Sequence, residues 1–377
     1  MITLTREHLE QTIERVIQRI RDMSGSIAET APIGIISMEN WEWPQGVGLF
    51  ALHGYYRETG DRRLLDFLTD WFDARIAEGL PDKNVNTMCP MLTLTYLAEE
   101  TGRPDYLDLC REWLDYVLNE MPRTEEGGLQ HEVTGSANEG QLWDDTLYMT
   151  VLFVARMGVL LRDEICIQES VRQFLVHLKY LTDPSTGLFF HGWTFHEGGH
   201  HFAKALWARG NCWYTAGLVD YLDMIKLPEG VRGFLLSSLR RQANKLLELQ
   251  SAEGAWHTLL NEPESYLETS ATAAFAYGLL KGYRRGYLNE SDRDAALRAL
   301  DYVLTQIDGD GVVHGVSYGT GMGRTLREYR DIPICPMPYG QSMTLLLLVE
   351  ALKNGIGAGE PNSGFASGQG EGADRHG

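Results

Sequence analysis

Apolar residues recur at helical spacing along nearly the whole chain, and the alternation typical of strands is scarce. This spacing predicts about twelve helices, over residues 6–22, 44–58, 61–78, 86–101, 104–120, 144–160, 164–182, 207–225, 228–250, 267–284, 290–306 and 339–354. The pattern therefore indicates an all-α fold.

Six of these segments share a character that the others lack. Each opens with small or polar residues and continues as an almost wholly apolar helix, and they begin near residues 44, 86, 144, 208, 268 and 340. A helix that is apolar on all sides must be buried, whereas the amphipathic helices between them can cover a surface. Six buried helices alternating with six outer ones predict a closed (α/α)6 barrel. An open superhelix of helix hairpins is the alternative, but it should show more regular repeat lengths and polar caps.

The polar starts of the six inner helices are expected to meet at one end of the barrel. Helix N-termini bring free N–H groups and partial positive charge to that end, which suits an anionic ligand. Four long links, 121–143, 184–206, 251–267 and 309–338, are expected at the same end. Because long loops in a compact fold are usually functional, we predict the site there.

The composition changes near the end of the chain. Residues 356–377 are rich in Gly and Ser, which is typical of a mobile segment. We therefore predict a single domain over residues 1–355, followed by a flexible tail over 356–377.

The formal charge of the chain bears on its partners. The chain carries 33 basic and 52 acidic residues, for a net charge of −19. It would repel phosphate backbones and anionic membranes, so neither nucleic acid nor a membrane is an expected partner. No stretch approaches the roughly 18 apolar residues that a membrane span requires.

The cysteine and glycine patterns bear on cofactors and location. The five cysteines are widely spaced and form no Cys/His metal motif, so reduced thiols in a cytoplasm are the simplest account. The His-rich run over 191–201 resembles no zinc pattern, and the glycines of 319–323 follow no predicted strand. We expect no metal, no cofactor and a cytoplasmic location.

Reactive and aromatic side chains are concentrated at the inner-helix starts and in the long links. Seven segments carry them: WEWPQGV (41–47), NVNTMCPMLTL (84–94), QLWDDTLYM (141–149), HGW (191–193), WARGNCW (207–213), SYLETSATAAFAYGL (265–279) and YGQSMTLLLL (339–348). In this order they resemble glycoside hydrolase family 105, the unsaturated rhamnogalacturonyl hydrolases, over nearly the whole chain. The fold of that family is an (α/α)6 barrel, in agreement with the helix pattern.

The resemblance implies a reaction on an anionic unsaturated oligosaccharide. Polysaccharide lyases leave a 4,5-unsaturated uronic acid at the non-reducing end of their products, and the family releases it by hydrating the double bond. An acid protonates C4, water adds at C5, and the resulting hemiketal collapses and expels the rest of the chain. Ordinary glycosidases need two carboxylates, whereas one group can here donate a proton and then help to deprotonate water. In the family motif Trp-x-Asp-Thr that group corresponds to Asp145.

The resemblance also implies contacts with the substrate. Asp144 fills the variable position of the motif, where it either raises the pKa of Asp145 by like-charge repulsion or points into solvent. Arg209 is expected to bind the uronate carboxylate through its guanidinium fork. Related unsaturated glucuronyl hydrolases use a second Asp where this chain has Asn84 and Asn86. The expected substrate-binding residues are Trp43, Gln45, Asn86, His131, Trp143, Asp144, His191, Arg209 and Trp213.

Two other functions are compatible with the same barrel. A sugar epimerase or isomerase would need a pair of bases on opposite faces of the sugar, which the His-rich run could supply. A non-catalytic carbohydrate-binding protein would explain the aromatic residues but gives Asp145 no role beside Trp143. The sequence leaves the preferred uronic acid and the oligomeric state open.

Overall fold

The computed structural model of the chain describes residues 5–23 and 37–357. Residues 358–377, nearly all of the predicted tail, lie outside these ranges. The helices and strands, in chain order, are α1 (Arg6–Asp22), α2 (Trp43–Thr59), α3 (Arg62–Glu78), α4 (Cys89–Thr101), α5 (Pro104–Asn119), β1 (Gln141–Trp143), a π-helical turn (Leu147–Val151), α6 (Leu152–Leu161), α7 (Glu164–Leu181), β2 (Gly192–Thr194), α8 (Ala208–Met224), α9 (Glu229–Leu249), α10 (Thr269–Arg284), α11 (Glu290–Thr305), α12 (Leu326–Arg330) and α13 (Pro338–Lys353). All twelve predicted helices are present, with bounds that differ by at most about three residues.

Six helices form the inner layer of the molecule. They are α2, α4, α6 with its preceding π-helical turn, α8, α10 and α13, and they are buried on nearly all sides. Each contacts the next, and α13 returns to contact α2. This closed cycle confirms the (α/α)6 barrel and excludes the open superhelix.

The remaining long helices cover the inner layer with one apolar face each. In α3, for example, Leu64, Leu68 and Phe72 are buried while the opposite face is polar and exposed. The first helix, α1, packs against α13 and so completes the sixth hairpin from the other end of the chain. A hydrogen bond of 2.8 Å from the Arg6 amide to the Gly357 carbonyl joins the two ends of the described domain.

Small residues let the inner helices approach closely. A Cβ atom at Gly46 of α2 would lie 2.7 Å from the main-chain carbon of Cys89 and from the nitrogen of Pro90. A Cβ atom at Gly278 of α10 would lie 2.9 Å from the carbonyl oxygen of Thr215. The sequence places small residues here because a backbone of the neighbouring helix occupies the space of a side chain.

Three short elements were not predicted from the sequence. Strands β1 and β2 pair in antiparallel fashion across two long links, with Trp143 opposite Gly192. The third inner helix opens with a π-helical turn at Leu147 and not as a regular helix at residue 144. Helix α12 lies in the last long link. All three are near the end of the barrel where the inner helices begin.

Two further predictions from the sequence concern membrane-spanning helices and the state of the cysteines. None of the described helices is long and apolar enough to cross a membrane. All five cysteines are free, and four of them are buried.

Candidate functional site

A cavity of about 400 Å³ opens at the end of the barrel where the inner helices start. Its lining comes from that end of α2, from the turn before α4, from the third inner helix and from three of the four long links. The fourth link, 251–267, contributes no lining residue to this cavity. The lining side chains include Glu42, Trp43, Asn86, His131, Trp143, Asp145, Met149, Phe202, Thr320, Met322 and Arg324.

The pairing of β1 with β2 brings two adjacent aspartates, Asp144 and Asp145, next to a histidine. We call these two residues the acidic pair. Because Trp143 pairs with Gly192, the residues that follow Trp143 lie beside the residue that precedes Gly192. The Asp144 amide donates a hydrogen bond of 3.1 Å to the His191 carbonyl. The side chain of the next residue also approaches this histidine, because Asp145 Oδ2 lies 3.5 Å from His191 Nε2.

The two carboxyl groups of this pair differ in environment. Asp145 lines the cavity, whereas Asp144 is fully buried. The Asp144 carboxyl lies against Gly210 of α8, where a Cβ atom would come within 2.3 Å of its oxygen. No side chain of the described residues outside the pair donates a hydrogen bond to Asp144. Asp144 therefore points neither into solvent nor into the cavity, which corrects the expectation that it contacts the substrate.

This difference in environment shifts the pKa values of the two carboxyl groups in opposite directions. Burial raises the pKa of Asp144 well above its usual range, and the neighbouring Asp145 charge raises it further. Burial would also raise the pKa of Asp145, but the hydrogen bond and the charge of His191 outweigh this effect and lower it. Like-charge repulsion that raises the pKa of Asp145, one of the two roles considered for Asp144, is therefore not found, since the raised pKa belongs to Asp144. These opposite shifts favour a pair in which Asp144 keeps its proton while Asp145 is ionised.

His191 is held from its other side by a tyrosine of α12. The Tyr329 hydroxyl lies 2.7 Å from His191 Nδ1 and accepts a hydrogen bond of 3.1 Å from the Gly323 amide. Because Nδ1 contacts this hydroxyl, Nε2 is the ring nitrogen of His191 that faces Asp145. His191 is buried and lies behind Asp145, outside the cavity lining.

His131 and Trp143 form one wall of the cavity. Their rings stack with centroids 4.2 Å apart and an angle of 11° between planes. Burial lowers the pKa of His131 to about 3, so the ring is neutral near pH 7. Its Nδ1 lies 2.8 Å from the Thr146 hydroxyl. A neutral, oriented imidazole of this kind can donate or accept one hydrogen bond on its remaining nitrogen.

Trp43 lies at the start of α2 and lines the cavity. Its ring stacks on Tyr339 with centroids 4.7 Å apart, and Trp213 packs edge-on against it at 5.7 Å. Trp213 is itself buried and does not line the cavity. The structure thus brings Trp43 to the site and uses Trp213 to support it, in place of the expected stacking on sugar.

The two asparagines before α4 have different positions. The Asn84 side chain is buried and accepts hydrogen bonds from the amides of Asn86 and Thr87, at 2.9 and 3.1 Å. Asn86 lines the cavity. Asn84 therefore shapes the turn, and Asn86 is the residue that can reach a ligand.

Two expected contacts are corrected by the structure. Gln45 is fully buried, and its amide donates to the Ser37 carbonyl at 2.9 Å. The Arg209 guanidinium is also buried and donates to the carbonyls of Ser317 and Tyr318, at 2.9 and 2.6 Å. It lies 3.7 Å from the buried Glu268 carboxylate. Arg209 thus fixes the last long link against α10, because all of its charge is used inside the fold.

A second cavity of about 380 Å³ shares three lining residues with the first, Gln141, Phe202 and Arg324. Its other lining residues are Thr194, His196, Glu197 and His200. The sequence did not single out Phe202, Arg324 or Tyr329. The available signal was weak, because Arg324 directly follows the glycine-rich run 319–323 and Tyr329 lies five residues further on.

The pair and His191 also form a possible metal site. Three possible ligand atoms, one each from Asp144, Asp145 and His191, lie within 4.8 Å of one another. The described residues contain no other group of this kind. That no metal is needed stays a prediction from the sequence.

The other end of the barrel has a different character. A cavity of about 310 Å³ there is lined by charged residues, most of which form ion pairs inside the fold. Arg57 lies 2.7 Å from Glu100, and Lys281 lies 2.5 Å from Asp220. Such ion pairs stabilise helix ends and leave little charge for a ligand.

Comparison with known proteins gives a consistent result. The sequence profile of Glycosyl Hydrolase Family 88 matches residues 13–355. The unsaturated rhamnogalacturonyl hydrolase YesR of Bacillus subtilis is 31% identical over 350 residues, which cover 92% of this chain and 96% of YesR. Crystal structures of possible members of glycoside hydrolase family 105 from Klebsiella pneumoniae and Salmonella enterica are 44% and 43% identical, with TM-scores of 0.91 and 0.90. They cover 94% and 93% of this chain, and the match spans 95% of each of them. The resemblance seen in the motifs is confirmed, and the chain belongs to Glycosyl Hydrolase Family 88.

Proposed function

We propose that this protein releases the terminal 4,5-unsaturated uronic acid from oligosaccharides left by polysaccharide lyases, by hydrating the C4=C5 double bond. Rhamnogalacturonan fragments from pectin are the proposed substrates, since the full-length relative YesR is an unsaturated rhamnogalacturonyl hydrolase. The observation that carries the proposal is the acidic pair. Asp145 lies at the wall of a cavity large enough for a sugar, and the adjacent buried Asp144 has a raised pKa and can hold the proton.

In the proposed mechanism, the proton held by Asp144 moves onto Asp145 and from there to C4 of the bound sugar. The C4=C5 electrons form the new C–H bond, and the positive charge at C5 is stabilised by the ring oxygen. Water then adds at C5 while the Asp145 carboxylate accepts its proton. The hemiketal opens to a ketone at C5, the glycosidic bond at C1 breaks, and the second sugar departs with its oxygen and a proton.

Neutral His131 and Asn86 are the proposed partners of the sugar hydroxyls or of the attacking water, because both line the cavity. Trp43 and Trp143 offer aromatic surface to the sugar ring. The adjoining second cavity provides room for the next sugar of the chain. The side chains that line it come from a long link, which is where preferences between substrates are expected to be encoded.

Glu42 is a second carboxyl group in the cavity lining and must be considered as a partner in direct attack at the anomeric carbon. Its two oxygens already accept hydrogen bonds of 3.2 Å, one from the Trp43 amide and one from the Thr134 hydroxyl. It caps α2 in this arrangement. Burial raises the pKa of Glu42 despite these bonds. We propose Glu42 as a helix cap and Asp145 as the one proton-transferring carboxyl group, and the two variants below distinguish them.

The proposal is tested by following the ultraviolet absorbance of the double bond in a panel of lyase products. The wild-type protein should remove this absorbance from unsaturated galacturonyl or glucuronyl ends and leave saturated oligosaccharides unchanged. Asp145→Asn should lower the rate by roughly 10²- to 10⁴-fold, the usual contribution of a general acid, with the circular dichroism spectrum unchanged. Glu42→Gln should lose far less.

Equal losses in the two variants would favour a two-carboxylate mechanism. Full activity of Asp145→Asn would show that the acid is another group. Deuterium entering a saturated sugar without cleavage would support an epimerase, and calorimetric binding of saturated sugars without turnover would support a non-catalytic protein.

A cytoplasmic location belongs to the same proposal. Five free thiols are compatible with a reducing compartment. Fractionation of the producing cell with an antibody to the protein would test it.

A further inference from the structure

An anionic substrate needs a local positive charge, because the protein as a whole carries a net charge of −19. Arg209 cannot supply it, since its guanidinium is buried and committed to Ser317, Tyr318 and Glu268. Among the described residues that line the cavity, Arg324 is the one lysine or arginine.

Arg324 differs from the two arginines that follow it in the sequence, Arg327 and Arg330, whose guanidinium groups pair with carboxylates. Arg327 Nε lies 2.9 Å from Asp331, and Arg330 Nε lies 2.7 Å from Glu262. The Arg324 guanidinium makes no hydrogen bond and no ion pair among the described residues, although Glu328 is near enough to feel its charge. The main chain at Arg324 is nevertheless fixed, since its amide donates a hydrogen bond of 3.0 Å to Glu328. The segment thus holds one unpaired guanidinium at the edge of the cavity.

The position of this segment is linked to the acidic pair. The Gly323 amide donates to the Tyr329 hydroxyl, which contacts His191 Nδ1 on the other side. His191 Nε2 in turn faces Asp145. Three contacts therefore connect the backbone beside Arg324 to the carboxyl group that faces the cavity.

We infer that Arg324 binds the carboxylate of the terminal unsaturated uronic acid and so determines that the site accepts an acidic sugar. This inference rests on the proposed function. The carboxylate of such a sugar is attached to C5, one end of the double bond. A guanidinium that grips it with two parallel hydrogen bonds would fix C4 and C5 relative to Asp145. Arg324 also lines the second cavity, so it lies where the terminal sugar meets the next one.

The test compares two substrates on three proteins. The substrates are an unsaturated galacturonyl–rhamnose disaccharide and its C6 methyl ester, which carries no charge and is larger by one methyl group. The proteins are the wild type, Arg324→Gln and Arg327→Gln, the last being a matched control whose guanidinium pairs with Asp331 away from the cavity. The readout is kcat/KM from loss of the ultraviolet band.

We expect esterification to lower kcat/KM of the wild type by roughly 10- to 100-fold, as for loss of a charged hydrogen-bonded pair. Arg324→Gln should lose a similar factor on the acid and show almost no further loss on the ester. Arg324→Lys should recover part of the discrimination, and Arg327→Gln should behave as the wild type does.

An Arg324→Gln variant that still discriminates as strongly as the wild type would overturn the inference while leaving the proposed function intact. A loss that appears only with a tetrasaccharide carrying a second uronate would assign Arg324 to that later carboxylate and also overturn it. If the wild type leaves both unsaturated disaccharides unchanged, the proposed function itself fails, and this inference fails with it.

Discussion

At the residue scale, two adjacent aspartates have opposite properties. Directly after β1, Asp144 is buried in the protein and Asp145 lines the cavity. Burial raises the pKa of the first, and His191 lowers that of the second. The sequence shows only that two carboxyl groups are neighbours, because it does not reveal which one faces solvent. Of the two alternatives for Asp144, neither a raised pKa at Asp145 nor a position in solvent matches the structure.

The raised pKa of Asp144 leads to a prediction for Asp144→Asn. The amide keeps the shape of the side chain but removes the group that holds the proton near neutral pH. Because the pKa of Asp145 is lowered, Asp145 would then be ionised at pH 7, and kcat should fall by roughly 10- to 100-fold. The rate of the variant should rise as the pH is lowered, whereas the wild type should keep its rate until the proton of Asp144 is lost at high pH. A variant with the pH–rate profile of the wild type would show that Asp144 does not supply the proton.

The same substitution should raise the free energy of unfolding, although it lowers kcat. A carboxyl group whose pKa is raised by folding binds more protons in the native than in the unfolded state, between its ordinary and its raised pKa. In this window the wild type should lose roughly 1.4 kcal/mol of unfolding free energy for each unit of rising pH. Asp144→Asn should not show this loss of unfolding free energy with rising pH. The variant should therefore be more stable than the wild type at and above neutral pH. Denaturant unfolding at several pH values measures both slopes.

Arg209 shows a second limit of sequence reasoning at this scale. Its place near the start of α8 was predicted correctly, and helix starts do surround the cavity. Its long side chain turns instead toward the last link and stacks over Trp207 and Tyr339, 4.7 and 4.8 Å from their ring centroids. The direction of a flexible side chain depends on loops that are distant in sequence, so the helix pattern could not reveal it.

At the element scale, the contrast between apolar and amphipathic helices was sufficient to predict the fold. Wholly apolar segments had to be buried, and the alternation of two helix kinds left few arrangements. The short strands β1 and β2 could not be found in this way, since three residues carry no periodic signal. They pair across two links because of tertiary contacts, and their register sets the distance between Asp145 and His191.

Close helix contacts give a prediction at this scale. Gly46→Ala should lower the free energy of unfolding by roughly 1–3 kcal/mol, because the new methyl group would press on the main chain of Cys89 and Pro90. Gly54→Ala is the matched control on the same helix α2, since no described atom lies within 4 Å of its Cβ position. It should raise stability by up to about 1 kcal/mol through helix propensity. Thermal unfolding followed by circular dichroism compares them, and equal stability of the two variants would contradict this packing.

At the scale of the whole molecule, closure of the ring gathers distant parts of the sequence at one cavity. Residues near 43, 86, 131, 145 and 324 meet there although they are spread over most of the chain. The order of the inner helices made the end of the barrel predictable, and family motifs indicated Asp145, His131 and Trp143. The sequence placed the last long link at this end but did not show which of its side chains line the cavity, so the contribution of Arg324 became visible only in the folded chain.

The central claim is that this cavity releases a terminal unsaturated uronic acid by protonating C4 from Asp145. Its most direct test is proton and deuterium NMR of the products formed from a lyase-generated disaccharide in D₂O. We predict that the released sugar carries one deuterium on a single face of C4, formed at the same rate as the second sugar is released, and that Asp145→Asn forms neither product. Release of the second sugar with the C4 vinylic proton still present would show direct attack at the anomeric carbon and contradict the account.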